Sequence, residues 1–278
     1  MRFRVTDRRA AIIAGIIQAG LLIALFAPTL DWLRLTWQVH PFYSHGPLVP
    51  LIAGWFVWRN RSRLLDGSPS SAGVLLLAAG ALLHVLSLRG GLWPVSAIGL
   101  IVALAGVAMQ IGGVSGLRAV ALPLLLLAMS VPLPIAERLA PAMAASVAHA
   151  AAVSASAAGA GVVRAGAQLT VGGGAFTVGE PCSGLRSLVA LATLAMVVAG
   201  VADGPRQRRG VLVMTAVPLA LGANWARLTG LILATDVLGP QRGLALFHSL
   251  ASPMAFAAAA AALVGIGHMI GCRVRANL

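Results

Sequence analysis

A thiol, a guanidinium and an imidazole stand out in a chain that otherwise consists mostly of hydrocarbon. Cys182 lies in GEPCSGLRS (179–187), where a polar loop gives way to a long apolar run. The free amide N–H groups and positive dipole end at the start of a helix favour a thiolate there. Arg186, four residues on, adds positive potential about one turn away. A lone cysteine at a helix start is also a common structural residue, and position alone does not decide between the two. Ser183 fits a role in capping that helix better than a role as nucleophile.

Arg227, in ANWARLTG (223–230), is the sharper anomaly, because it falls inside an apolar run. A charge within a membrane span is costly and marks a functional site by default. The competing reading is an arginine that reaches back to the interface along its alkyl stem. Asn224, three residues earlier, can share a polar face with it. His248, in LFHSL (246–250), opens another apolar run and could take a proton from a thiol and return it to a leaving amine. His45, with Tyr43 and Ser44 beside it, is the competing base; His84, His149 and His268 have no such companions. HExxH, CxxC and GK[ST] motifs are all missing from the sequence, so no metal site or phosphate loop is expected, and no cofactor.

The elements that must position these residues are membrane helices. Of 278 residues 59% are hydrophobic and 10% charged, against about 25% charged in a soluble domain. Apolar runs of about 17–25 residues recur, the length that crosses a bilayer as a helix. Continuous Ala/Leu/Val/Gly runs lack the alternation of a barrel. The sequence therefore predicts an all-α polytopic membrane protein, with the whole of 1–278 as one integral-membrane domain.

About eight transmembrane helices are expected, over 10–28, 47–58, 72–88, 92–111, 119–131, 183–201, 211–233 and 247–270. Residues 135–161 are Ala-rich and weakly amphipathic, which suits a helix lying along the interface; a span is the alternative. The β-branched stretch 162–178, with Gly172, Gly173 and Gly174 at its centre, reads as a small extracytoplasmic hairpin.

All 20 basic residues are arginine and give a net charge of +13. With the N-terminus inside, the eight-helix arrangement puts Arg2, Arg4, Arg8, Arg9, Arg59, Arg61, Arg63, Arg118, Arg206, Arg208, Arg209, Arg273 and Arg275 in cytoplasmic segments. Only Arg34, Arg89, Arg138, Arg164 and Arg242 fall outside. That asymmetry follows the positive-inside rule and makes nucleic-acid binding an unnecessary explanation of the charge. The same topology puts Cys182, Arg227, His248 and the Tyr43–His45 loop at one outer level. It separates Cys182 from Cys272, so no disulfide is expected.

Four motifs in this order, FYSHGPLVP (42–50), CSGLRSL (182–188), NWAR (224–227) and FHSL (247–250), resemble the exosortase/archaeosortase family. VPLP (131–134) and the hairpin before Cys182 are similar to that family as well, so the resemblance covers most of the chain. It implies an integral-membrane cysteine enzyme of prokaryotic inner membranes, viewed as transpeptidase-like. Its substrates would be exported proteins whose C-terminal sorting signal has a Pro-containing motif, a transmembrane helix and a basic tail. The implied catalytic set is Cys182, Arg227 and His248, with an envelope acceptor of unknown identity and membrane lipid as the other partners. Many relatives carry an acidic residue after the histidine; Ser249 stands there in this chain. A transporter that binds an anionic solute at Arg227, or a noncatalytic sorting scaffold, is the alternative from another class. Unusual polar groups near one face only favour the enzyme.

Overall fold

The computed structural model describes residues 5–179, 182–246 and 251–274. These form two compact units, Met1–Pro132 and Leu133–Leu278. The protein is mostly helical, with five helices long and apolar enough to cross a membrane, or six if one bent pair counts as a single span.

In the first unit, α1 (Val5–Leu25) and α2 (Ala27–Val39) meet at a 66° bend. Phe26 sits at the corner with φ −90° and ψ 12°, and Pro28 follows in the first turn of α2. Proline is well placed there, since the first amides of a helix have no partner within it. A 3-10 turn (Gly46–Leu48) leads into α3 (Val49–Arg59), and α4 (Arg61–Leu65) follows.

α5 (Ala72–Gly90) and α6 (Trp93–Met129) pack most intimately of all the helices. Their contact runs through small residues. A Cβ on Gly99 would come within 2.7 Å of the Gly80 carbonyl oxygen, and one on Gly106 within 2.7 Å of that of Gly73. Apolar helices in lipid gain little from burying hydrocarbon, so close backbone approach supplies the attraction instead.

The sequence predicts two helices, 92–111 and 119–131, and α6 is two helices run together across a kink. It is interrupted at Gly113, whose φ of 57° and ψ of −146° are not helical. A Cβ on Gly116 would lie 2.5 Å from the Ala108 carbonyl oxygen. In a continuous helix those residues stand about 12 Å apart along the axis. The chain therefore doubles back at Gly113, a conformation open to glycine and poorly tolerated by other residues.

In the second unit, α7 (Pro134–Ala157) covers the Ala-rich stretch expected to lie at the interface. At 24 residues it is long and apolar enough to span. The predicted hairpin is a three-stranded antiparallel meander, β1 (Val162–Ala165), β2 (Gln168–Val171) and β3 (Gly174–Thr177). Val171 pairs with Gly174 across Gly172 and Gly173, both at positive φ (59° and 79°). That is the two-residue turn whose twist matches antiparallel strands. Leu169 and Val171 alternate inward onto a core shared with α7 and the later helix around Leu228 and Ile232.

Next come α8 (Leu185–Val201), β4 (Ala202–Asp203), α9 (Arg206–Leu238), α10 (Pro240–Leu246), α11 (Ser252–Met269) and β5 (Arg273–Val274). α8, α9 and α11 bury a second core around Leu191, Leu212, Ala216 and Leu263. β4 and β5 pair antiparallel, which ties the last described residues to the α8–α9 turn.

Candidate active site

Cys182 sits three residues before α8, in a short turn closed by its own amide on the Gly179 carbonyl at 2.9 Å. It is a free, half-buried thiol packed against the core between α7 and α9. Ser183 beside it is fully buried, and its hydroxyl accepts from the Leu185 amide at 3.3 Å. Gly184 then takes φ +85°, which turns the chain into the helix. A Cβ at Gly184 would also meet the Asn224 side-chain nitrogen at 2.8 Å. Glycine is required here twice over, by the backbone and by the neighbour.

Asn224 is 3% exposed on α9 and links the parts of the site. Its amide nitrogen donates to the Cys182 carbonyl at 3.0 Å, and its amide oxygen accepts from Arg227 at 3.2 Å. Chemistry fixes that orientation, because a carbonyl can only accept and a guanidinium can only donate. Arg227 also donates to the Ser252 hydroxyl, at 2.7 Å, on the first turn of α11. A continuous hydrogen-bonded chain thus runs from Ser252 through Arg227 and Asn224 to the backbone of Cys182. It joins the start of α8, the middle of α9 and the start of α11. Two of the five guanidinium N–H groups are spent on it, and the side chain is only half-buried.

Trp225, two residues before Arg227 and about 200° around the helix from it, faces the other way. It donates to Ser154 at 3.2 Å and lines an apolar groove of about 550 Å³ with Met143, Ser146 and Gly222. Arg186 is exposed on α8. His248 lies outside the described residues. Tyr43, Ser44 and His45 belong to the first unit. There Tyr43 is buried, with its ring against those of His40 and His45 at 5.2 and 6.5 Å, Ser44 is exposed and His45 is half-buried.

Two contributors are absent from the sequence reading. Gly184 could have been found as a glycine directly before an apolar helical run, where a left-handed residue is often needed. Ser252 carries a weaker signal, a Ser-Pro pair at a helix start, which says nothing about Arg227. Among the described residues, no three His, Cys, Asp or Glu side chains gather as a metal site would require.

Fold and site together define a multi-pass membrane protein that presents a cysteine turn to an arginine within a span. A family model described as transmembrane exosortase matches residues 37–265, and the chain belongs to that family. Comparison with curated proteins and with solved structures gives no match. The family points to a membrane-embedded transpeptidase-type enzyme that processes exported proteins.

Proposed function

We propose that this chain is a cysteine peptidase or transpeptidase of the inner membrane that cleaves the C-terminal sorting signal of exported proteins. The observation that carries this reading is the Ser252–Arg227–Asn224–Cys182 chain. It ties a guanidinium within an apolar helix to the one turn that holds a half-buried thiol. A snorkelling arginine would need no such second and third partner.

In this reading His248 takes the thiol proton and the Cys182 sulfur attacks the scissile carbonyl. Negative charge then develops on the carbonyl oxygen, where the remaining Arg227 N–H groups and the amides at the start of α8 stabilise it. Collapse breaks the C–N bond, His248 protonates the leaving amine, and an acyl thioester remains on Cys182. An envelope amine or hydroxyl, or water, resolves it. Asn224 holds the arginine and the cysteine turn in register. Ser183 supports the helix start, and Arg186 adds positive potential. The membrane arrangement that goes with this is eight spans with both termini cytoplasmic, the hairpin region and Cys182 on the extracytoplasmic side, and residues 135–161 at the interface.

The test is coexpression with an exported protein bearing such a signal, followed by mass spectrometry of its new C-terminus. The reading requires a defined cut beside the Pro-containing motif in the parent and an intact signal with Cys182→Ala. An unchanged product with Cys182→Ala overturns it.

A further inference from the structure

The other end of the second unit carries a charge cluster that the proposed chemistry leaves unused. Arg206, Arg208 and Arg209 open α9. The β4–β5 pairing brings Arg273 opposite Asp203, from a segment about 70 residues later in the chain. Arg208 lies against the turn before β5, where a Cβ on Gly271 would come within 2.7 Å of its guanidinium. Cys272, 1% exposed, anchors the same turn in the α8–α9–α11 core. Four guanidinium groups from two separate segments therefore share one end of a three-helix bundle, with Asp203 the one acid on these segments.

Packing does not consume this charge. Arg206, Arg208 and Arg273 are exposed. The Arg209 Nε is buried and has no hydrogen-bond partner, a costly state for a donor. Directly below the arginines the surface turns apolar and open: Met214 on α9 is 68% exposed and Met269 at the end of α11 is 87% exposed. Guanidinium above and exposed hydrocarbon below is the profile of a molecule with a phosphate head and an acyl tail. Arginine suits the head because its planar fork binds phosphate oxygens in pairs. Asn224 lies about 27 Å farther along α9, close to the thickness of a hydrocarbon layer, so this cluster stands at the opposite membrane level from Cys182.

We propose that Arg206, Arg208, Arg209 and Arg273 form a binding site for the phosphodiester headgroup of an anionic phospholipid, with its acyl chains along Met214 and Met269. The site would clamp the tail to the α8–α9 turn and fix the lower end of the helix that carries Arg227. The proposal does not depend on the sorting reading.

Native mass spectrometry from nanodiscs of mixed phosphatidylcholine and phosphatidylglycerol tests it on the full chain. The parent should retain phosphatidylglycerol selectively. R206Q/R208Q/R209Q/R273Q should lose that retention by at least about tenfold, since each arginine near an anionic surface contributes on the order of 1 kcal/mol. R59Q/R61Q/R63Q, which removes arginines of the first unit, should retain it as the parent does. Equal retention in the parent and the fourfold variant overturns the proposal, as does equal loss in the first-unit control. Displacement of the lipid by inorganic phosphate alone would mean a free-phosphate site and also overturns it. A photoreactive phosphatidylglycerol gives a readout on the parent alone, whether or not the variant folds. Crosslinks should map to peptides containing 206–214 or 269–273, and crosslinks confined elsewhere reject the site.

Discussion

Each unit holds a polar cluster among its helices, and the two clusters are built to different ends. In the first unit Ser96 lies between Thr29, at 2.5 Å, and the His84 ring nitrogen, at 2.7 Å, with the His84 ring tilted against that of Phe26. All three polar residues are buried, His84 to 1%. Their short side chains satisfy one another and tie α2, α5 and α6 together. Such a cluster gives helix association in a lipid phase, where hydrogen bonds replace the hydrophobic drive. In the second unit the chain runs instead from an exposed serine through a half-buried arginine to the backbone beside a half-buried thiol. Its members include a charge with donors to spare. A cluster that closes on itself is cement; one that stops short of closing is where a substrate can complete it.

The largest break in that comparison is Cys182→Ala. Signal cleavage should fall to the background of cells lacking the enzyme, while Cys272→Ser, in the buried tail turn, should keep the parent rate per folded molecule. Arg227→Lys comes next. It keeps the charge but loses the planar fork whose separate nitrogens hold Ser252 and Asn224, so the rate should fall by about 10²–10³, the effect of losing an oxyanion donor in other enzymes. Single-turnover cleavage in membranes measures both. An Arg227→Lys enzyme with the parent rate would reduce the arginine to an anchor and make the two clusters alike.

Asn224→Asp separates the two ends of its side chain. The carboxylate still accepts from Arg227 but can no longer donate to the Cys182 carbonyl, which it now faces with negative charge. The turn should be displaced and the rate reduced by about tenfold to a hundredfold. Accessibility of Cys182 to a thiol reagent should change in the same variant, whereas it should not change in Arg227→Lys. If accessibility moves in neither, Asn224 does not position the turn.

The sequence carried these two clusters unequally. Cys182 and Arg227 were legible because a thiol or charge against apolar runs is visible without knowing its neighbours, and Asn224 by its spacing from Arg227. Thr29, Ser96 and His84 were not. They lie up to 67 residues apart, and nothing in the sequence says that three helices bring them together. The apolar runs announced the helices themselves. Their breaks were legible only in part: residues around Gly112 and Gly113 read as a connection, but not as a reversal with backbone touching backbone. The meander was undercounted by a strand because β1 is mostly exposed, with one arginine interrupting its pattern. Residues 135–161 were legible as a helix, but alanine is too weakly hydrophobic for composition to place that helix in or along a membrane. Gly184 was visible only as a letter; its reason, the Asn224 side chain above it, comes from 40 residues downstream.

Smaller effects sharpen the contrast further. Ser252→Ala leaves Arg227 its bond to Asn224 and removes only the outer tether, so the rate should fall by a few-fold, roughly the value of one modest hydrogen bond. Ser252→Thr, which keeps the hydroxyl, should restore it. Loss without restoration would assign Ser252 to packing at the start of α11 instead.

Ser96→Ala should have the least effect on processing and still be felt by the fold. It removes the atom that both Thr29 and His84 bond most closely, and their own separation of 3.4 Å is a poor substitute. Two buried polar groups are left under-satisfied in an apolar phase, at a cost of about 1–2 kcal/mol. Thermal unfolding in nanodiscs should show that loss, and cleavage per folded molecule should equal the parent's. Cleavage that falls while stability holds would mean that the first unit's cluster reaches the chemistry, and the division between cement and site would have to be redrawn.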